Sequence, residues 1–129
     1  MRLADAPFGR TRVKAGEIVL VDWRDARGAE TNRAGRPAVV ISDDAIAPAH
    51  PRSVVLVPLT SKRDAAIAGL TVTLEPTAAN GGAVRSYLLA HLVTATAVVR
   101  IKGRPGTYIE PRQLDELREA VALCVGAQR

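Results

Sequence analysis

Apolar and polar positions divide the chain into a long series of short strand-like runs and a tail with a different period. Glu17 to Trp23 follows Gly16 and is built of Ile18, Val19, Leu20 and Val21, which predicts a strand. Arg24 to Gly35 is polar and aperiodic, with Gly28 and Gly35, and predicts a long loop or hairpin tip. Loops of that length are uncommon in compact domains and often carry function. A second strand opens at Pro37, where a missing N–H is best tolerated, and continues through Ala38, Val39, Val40 and Ile41. Asp43 to Pro51 is a connection in which Pro48 and Pro51 end any helical turn. Ser53 to Leu59 is almost continuously apolar, as a strand buried on both faces would be.

After a second polar loop, Ser61 to Ala68, the residues Leu70, Val72 and Leu74 alternate with Thr71, Thr73 and Glu75, the period of a half-exposed strand. Pro76 to Gly82 reads as a turn. Arg85 to Thr94 and Val98 to Ile101 are expected as two more strands, with Gly103-Arg104-Pro105-Gly106 breaking the chain again. From Pro111 the period becomes helical: Leu114, Leu117, Val121 and Cys124 share one face, and Asp115, Glu116, Arg118 and Glu119 take the other. Pro111 suits a first turn, the acidic pair suits its positive end, and Gly126 suits its stop. Five or six short strands followed by one helix predict a mainly β fold with some α. The expected form is a small, strongly bent antiparallel sheet or barrel with the C-terminal helix packed on it.

Composition narrows the picture. A chain of 129 residues with 47% hydrophobic and 24% charged residues has room for one core, and wholesale disorder is not expected. No apolar run approaches the roughly 20 residues of a membrane span. The first residues lack the apolar stretch of a signal peptide, and a lone cysteine, Cys124, permits no disulfide within the chain, so the expected location is cytoplasmic. The net charge of +5 favours a polyanionic partner or simply serves solubility. With only Phe8, Trp23, Tyr87 and Tyr108 as aromatics, contact with nucleic acid should rest on arginine, hydroxyls and backbone rather than on base stacking.

Two runs carry candidate chemistry. Gly35-Arg36-Pro37-Ala38-Val39-Val40-Ile41-Ser42 has an arginine where a strand begins, and Val57-Pro58-Leu59-Thr60-Ser61 has a hydroxyl pair where a strand ends. If those strands pair, Arg36 and Thr60 face a common groove, an arrangement suited to phosphate because the guanidinium fork matches two phosphate oxygens. The plainer readings are that Arg36 pairs with Asp43 or Glu30 at a strand end, and that Thr60-Ser61 begins a turn. Asp43 and Asp44 are adjacent and point apart, and His50, His91 and Cys124 lack the local spacing of a zinc site, so neither a metal nor another cofactor is expected. Trp23 and Tyr87 are expected in a core or an interface.

Four segments in order resemble the MazF/PemK family of toxin endoribonucleases, from about Lys14 to Gly126. They are Gly16-Glu17-Ile18-Val19-Leu20-Val21-Asp22-Trp23; Gly28-Ala29-Glu30 with Gly35 to Ser42; Val57 to Ser61; and Ser86-Tyr87-Leu88-Leu89-Ala90-His91-Leu92. Residues 1–13 fall outside the resemblance as an N-terminal extension, and residues 14–129 form the toxin-like domain. The resemblance implies an SH3-like barrel of the CcdB/MazF type, a homodimer, metal-free cleavage of single-stranded RNA and neutralisation by an acidic antitoxin. It makes Arg36 and Thr60 the catalytic candidates with Glu30 in support, and Arg100 falls where some members carry a basic residue. The candidate RNA contacts are Ser61, Lys62, Arg33, Arg100 and Lys102, the last two expected to alternate on one strand face as a backbone contact or a solvated face. In such cleavage the ribose 2′-OH attacks phosphorus, giving a 2′,3′-cyclic phosphate and a 5′-hydroxyl. Arginine is a poor base, so Glu30 or His91 is expected to take the 2′ proton, imidazole being suited to proton transfer near neutrality. The competing readings are a CcdB-like toxin that binds gyrase and an inactive member that only binds RNA or antitoxin.

Overall fold

The computed structural model describes residues 12–23 and 35–127. The 24–34 loop, with its candidates Glu30 and Arg33, and most of the N-terminal extension lie outside the described residues. Seven strands precede one helix: β1 (Glu17–Val21), β2 (Arg36–Val40), β3 (Ser53–Thr60), β4 (Thr71–Leu74), β5 (Ser86–Leu89), β6 (Thr94–Ala97), β7 (Ile101–Tyr108) and α1 (Pro111–Cys124). All the pairings are antiparallel, in the order β4-β5-β3-β2-β1-β7, with β6 added on β3. The fold is therefore mainly β with a C-terminal helix, as the pattern predicts. The sheet is open rather than a closed barrel: among the described residues β4 and β7 end the ladder without pairing each other.

Alternation along the central strands builds two cores, one on each face. Ile18, Val39 and Val57 stand opposite one another on the face that α1 covers, where Leu117 is fully buried and Leu114, Val121 and Cys124 pack beside it. Val19, Val21, Ala38, Val40, Val54 and Leu56 line the other face, closed over by Val98 and Ile101 with Val13 and Trp23 at its margin. β3 is completely buried only along its middle, because Pro58, Leu59 and Thr60 emerge to half-exposure at its end.

The helix keeps its sequence-predicted apolar face, but its start is held differently. Glu110 is the N-cap, in a reciprocal capping box with Gln113, and Pro111 takes the first helical position. Asp115 and Glu116 fall after the first turn. Gly126, at φ +75°, ends the helix: its N–H reaches the Leu123 carbonyl and that of Ala127 reaches Ala122, a Schellman motif.

The later strands depart from the sequence reading. The run from Arg85 to Thr94 is not one strand: Ser86–Leu89 forms β5, and Thr94 already belongs to β6. The chain then makes a 3-10 turn (Ala90–Leu92) and re-enters the sheet as β6 farther along the same edge of β3. Val98–Arg100, expected as strand, is another 3-10 turn, so Arg100 and Lys102 do not alternate along one strand. The run Gly103-Arg104-Pro105-Gly106 does not break the chain but lies inside β7, where the register against β1 shifts twice. Glycine and proline in a strand interior mark such bulges. Arg104 is anchored there by a bidentate bond to Glu17, at 2.7 Å and 3.0 Å, and Glu17 itself is only 1% exposed.

Candidate phosphate-binding site

Arg36 and Thr60 come together through register. Ala38 faces Pro58, Val39 faces Val57 and Val40 faces Leu56, and beyond the last of these pairs Arg36 and Thr60 lie at the same end of the two neighbouring strands, on the same side by alternation. The Ile41 N–H bonds the Val55 carbonyl at 2.9 Å, which makes every second pair from there hydrogen-bonded. Ala38–Pro58, the last pair before Arg36 and Thr60, falls between those. By the same count the nitrogen of Pro58 points away from β2, into the gap where β6 has ended and β5 has not begun. The missing donor of Pro58 therefore leaves no ladder bond unmade there.

The row extends across the sheet. Tyr87 of β5 is opposite Thr60, and Thr73 of β4 is opposite Tyr87. On the other side Val21 is opposite Arg36, and Ile101 is opposite Val21. Directly opposed residues share a face, so Thr73, Tyr87, Thr60 and Arg36 form a polar continuation of the apolar face lined by Val21 and Ile101. Arg36 is exposed, Thr60 is half-buried and Tyr87 is buried. Gly35 delivers Arg36 to this place. It has φ +93°, and a Cβ there would stand 3.1 Å from the Leu20 Cβ and the Val21 nitrogen, so β2 can begin tight against the end of β1.

Hydrogen bonding gives the hydroxyl a direction. The Lys62 N–H donates to Thr60 Oγ1 at 3.1 Å, so the oxygen is engaged as acceptor and its own hydrogen is turned elsewhere. Arg85, two residues before Tyr87, forms an ion pair with Glu75 at 2.9 Å. The Glu75 carboxylate first, and a side-chain hydrogen bond with Tyr87 second, hold the proton on the Arg85 guanidinium more firmly than usual. Neither Arg85 nor Tyr87 stood out in the sequence as a site residue. Glu75 and Arg85 at the flanks of a β hairpin are the one local signal for it.

Of the other sequence candidates, Ser61 and Lys62 follow Thr60 directly and are exposed. Arg100 ends the 3-10 turn before β7, and its carbonyl accepts the Asp22 N–H at 2.8 Å. That places it about 10 Å from Arg36, two strand spacings across the same end of the sheet. One guanidinium nitrogen of Arg100, Nη1, is buried without a hydrogen bond, beside a pocket lined by Trp23 and residues 94–97. Lys102 is exposed on β7. His91 is not brought into the row: it lies four residues past Tyr87, on the 3-10 turn that packs against α1, with Nδ1 buried and unbonded. An apolar pocket of about 300 Å³ near Val40, Val54 and Val98 occupies the opposite end of β2. Among the described residues, no three His, Cys, Asp or Glu side chains group as a metal site.

The sequence matches the PemK-like, MazF-like toxins of type II toxin–antitoxin systems over residues 14–125. No curated protein matches it. Among solved structures, an endoribonuclease in complex with its cognate antitoxin from a mycobacterial species superposes with a TM-score of 0.70 at 17% identity, covering 92% of this chain and 99% of that one. MazF from Deinococcus radiodurans gives 0.69 at 22% identity, covering 90% and 98%. The toxin MazF-mt6 of Mycobacterium tuberculosis gives 0.66 at 18%, covering 88% and 99%. At such identities these likenesses concern the fold, while the sequence match spans nearly the whole chain: the protein belongs to the PemK/MazF-like toxins of type II toxin–antitoxin systems.

Proposed function

We propose that this chain is an endoribonuclease that cuts single-stranded RNA at the Arg36–Thr60 pair, without metal, and that an acidic antitoxin holds it inactive. The β2–β3 register, which brings Arg36 and Thr60 to the same end of adjacent strands, supports this reading, as does the endoribonuclease described for a structural relative. The Arg36 fork binds the two non-bridging oxygens of the scissile phosphate, where charge builds as the 2′-oxygen attacks. Thr60, its oxygen already engaged by Lys62, donates its hydrogen to one of them. The P–O2′ bond forms and the P–O5′ bond breaks, leaving a 2′,3′-cyclic phosphate and a 5′-hydroxyl. The 2′ proton needs a separate acceptor; of the two candidates, His91 stands outside the row on the turn against α1, which favours Glu30. A pH–rate profile of His91→Gln decides between them: losing the limb near neutrality assigns His91, and an unchanged profile leaves Glu30. Ser61, Lys62, Arg33, Arg100 and Lys102 hold the flanking backbone and contribute to a preference for particular RNA sequences. The protein acts as a homodimer in the cytoplasm, the setting a reduced Cys124 allows.

The test incubates the protein and Arg36→Ala with a long RNA in EDTA, then maps cut sites and end groups. Discrete cuts with cyclic phosphate and 5′-hydroxyl ends are expected, slowed by on the order of 10²–10³-fold in the variant. Cuts that EDTA abolishes, or no cuts at any protein concentration, overturn the reading. The second result transfers the function to a binder of gyrase, RNA or antitoxin.

A further inference from the structure

Nothing so far supplies a proton to the departing 5′-oxygen. An alkoxide is a poor leaving group, and protonating it during P–O5′ cleavage removes much of the barrier. Of the four polar groups in the row, a guanidinium does not release its proton in proteins, and the threonine hydroxyls are far weaker acids than a phenol. Tyr87 is the remaining group, and its position is set from two sides. It is paired with Thr60 on β3 and with Thr73 on β4, so its ring stands on the same face as Arg36 and Thr60. It is only 9% exposed and belongs to neither apolar core. Arg85, two residues before it on the same face, is exposed and tied to Glu75 at 2.9 Å, and Tyr87 adds to the hold on its proton. A guanidinium only donates, so the cation beside Tyr87 makes no claim on the phenolic hydrogen. Thr60 follows the same logic with the Lys62 N–H. Thr60 thus has its oxygen engaged by a backbone donor, and Tyr87 opposite it stands beside a cation that only donates, which leaves both hydroxyl hydrogens for an anion.

We propose that Tyr87 is a catalytic residue of the cleavage site, giving its phenolic proton to the 5′-oxygen as that oxygen leaves phosphorus. The step rests on the endoribonuclease reading and balances without redox. The pair of the P–O5′ bond passes to O5′, the Tyr87 proton joins it to make the 5′-hydroxyl, and the phenolate beside Arg85 regains a proton from water. Arg85 is then a positioning residue, its charge set beside the phenolate that forms.

The experiment compares single-turnover cleavage of ordinary RNA with cleavage of the same RNA carrying sulfur in place of the scissile 5′-oxygen, because a thiolate leaves without a proton. Tyr87→Phe, which keeps the ring, is expected to slow the ordinary substrate by on the order of 10²-fold and the sulfur substrate by no more than a few-fold. Binding of a 2′-deoxy analogue should stay unchanged. Arg85→Gln lies at an exposed side chain and does not threaten folding, so it provides a second test: a smaller loss on ordinary RNA, again restored by sulfur. Arg36→Ala should be slow on both. A wild-type rate for Tyr87→Phe, or equal loss on both substrates, overturns the role of Tyr87 alone. A wild-type protein that cuts neither substrate overturns the nuclease reading and this role with it.

Discussion

At the scale of single residues, the site depends on the shape of donors as much as on charge. Arg36 stands exposed at the first position of β2, so its guanidinium has little to do for stability. Arg36→Lys retains the charge but loses the planar fork, and it should keep only a small part of the activity while leaving the thermal midpoint unchanged. Thr60→Val is nearly isosteric and removes one hydrogen bond to a charged oxygen, a contribution of about 1.5–3 kcal/mol. Initial rates on one defined RNA should therefore fall by roughly 10–100-fold, since about 1.4 kcal/mol corresponds to tenfold. A fall below threefold would remove Thr60 from the chemistry. Both residues were legible as candidates in the sequence because each is a polar group at the edge of an apolar run. Tyr87 was not, because nothing local to Ser86-Tyr87-Leu88 says that its partner is Thr60.

At the scale of elements, β1, β3 and α1 were readable because their periods are uninterrupted. The region from Arg85 to Tyr108 was not, because β3 changes partner at Pro58 and the chain must step from β5 to β6 to follow it. Gly35 is an element-scale residue: it belongs to neither strand but sets how β2 starts against β1. Gly35→Ala combines a strained φ with a contact of 3.1 Å to Leu20, and should cost about 1–3 kcal/mol by denaturant unfolding. Cleavage should fall more than stability alone explains, since Arg36 is the next residue. The Glu17–Arg104 pair ties β1 to the bulged part of β7. Arg104→Met alone should destabilise by about 3–5 kcal/mol because it strands a buried carboxylate. Adding Glu17→Leu should recover part of that loss in the same unfolding measurement.

At the scale of the whole molecule, one end of the sheet collects Arg36 and Arg100 with Lys62 beside them, while Arg85 there is balanced by Glu75. A net charge of +5 becomes a directed field only because register places these residues along one rim. RNA affinity should therefore fall steeply with salt, with a log–log slope of about −0.7 for each phosphate neutralised on a single strand. Arg100→Ala should reduce that slope by about one such step and leave the cut positions unchanged, as titrations at several salt concentrations would show. An unaltered slope would take Arg100 off the RNA path.

The sequence by itself determined the mainly β character, the terminal helix with its buried face, the polar edges at Arg36 and Thr60, and the family. Each of these lies in local periods and short motifs, which are properties of neighbouring residues. Only the tertiary structure decided that β6 and β5 share one edge of β3, that the Gly103–Gly106 run is a bulged strand, and that Tyr87 stands beside Thr60. Those are matters of register between segments far apart in the chain. A shift of one residue would turn every side chain to the other face, and no local pattern encodes that choice.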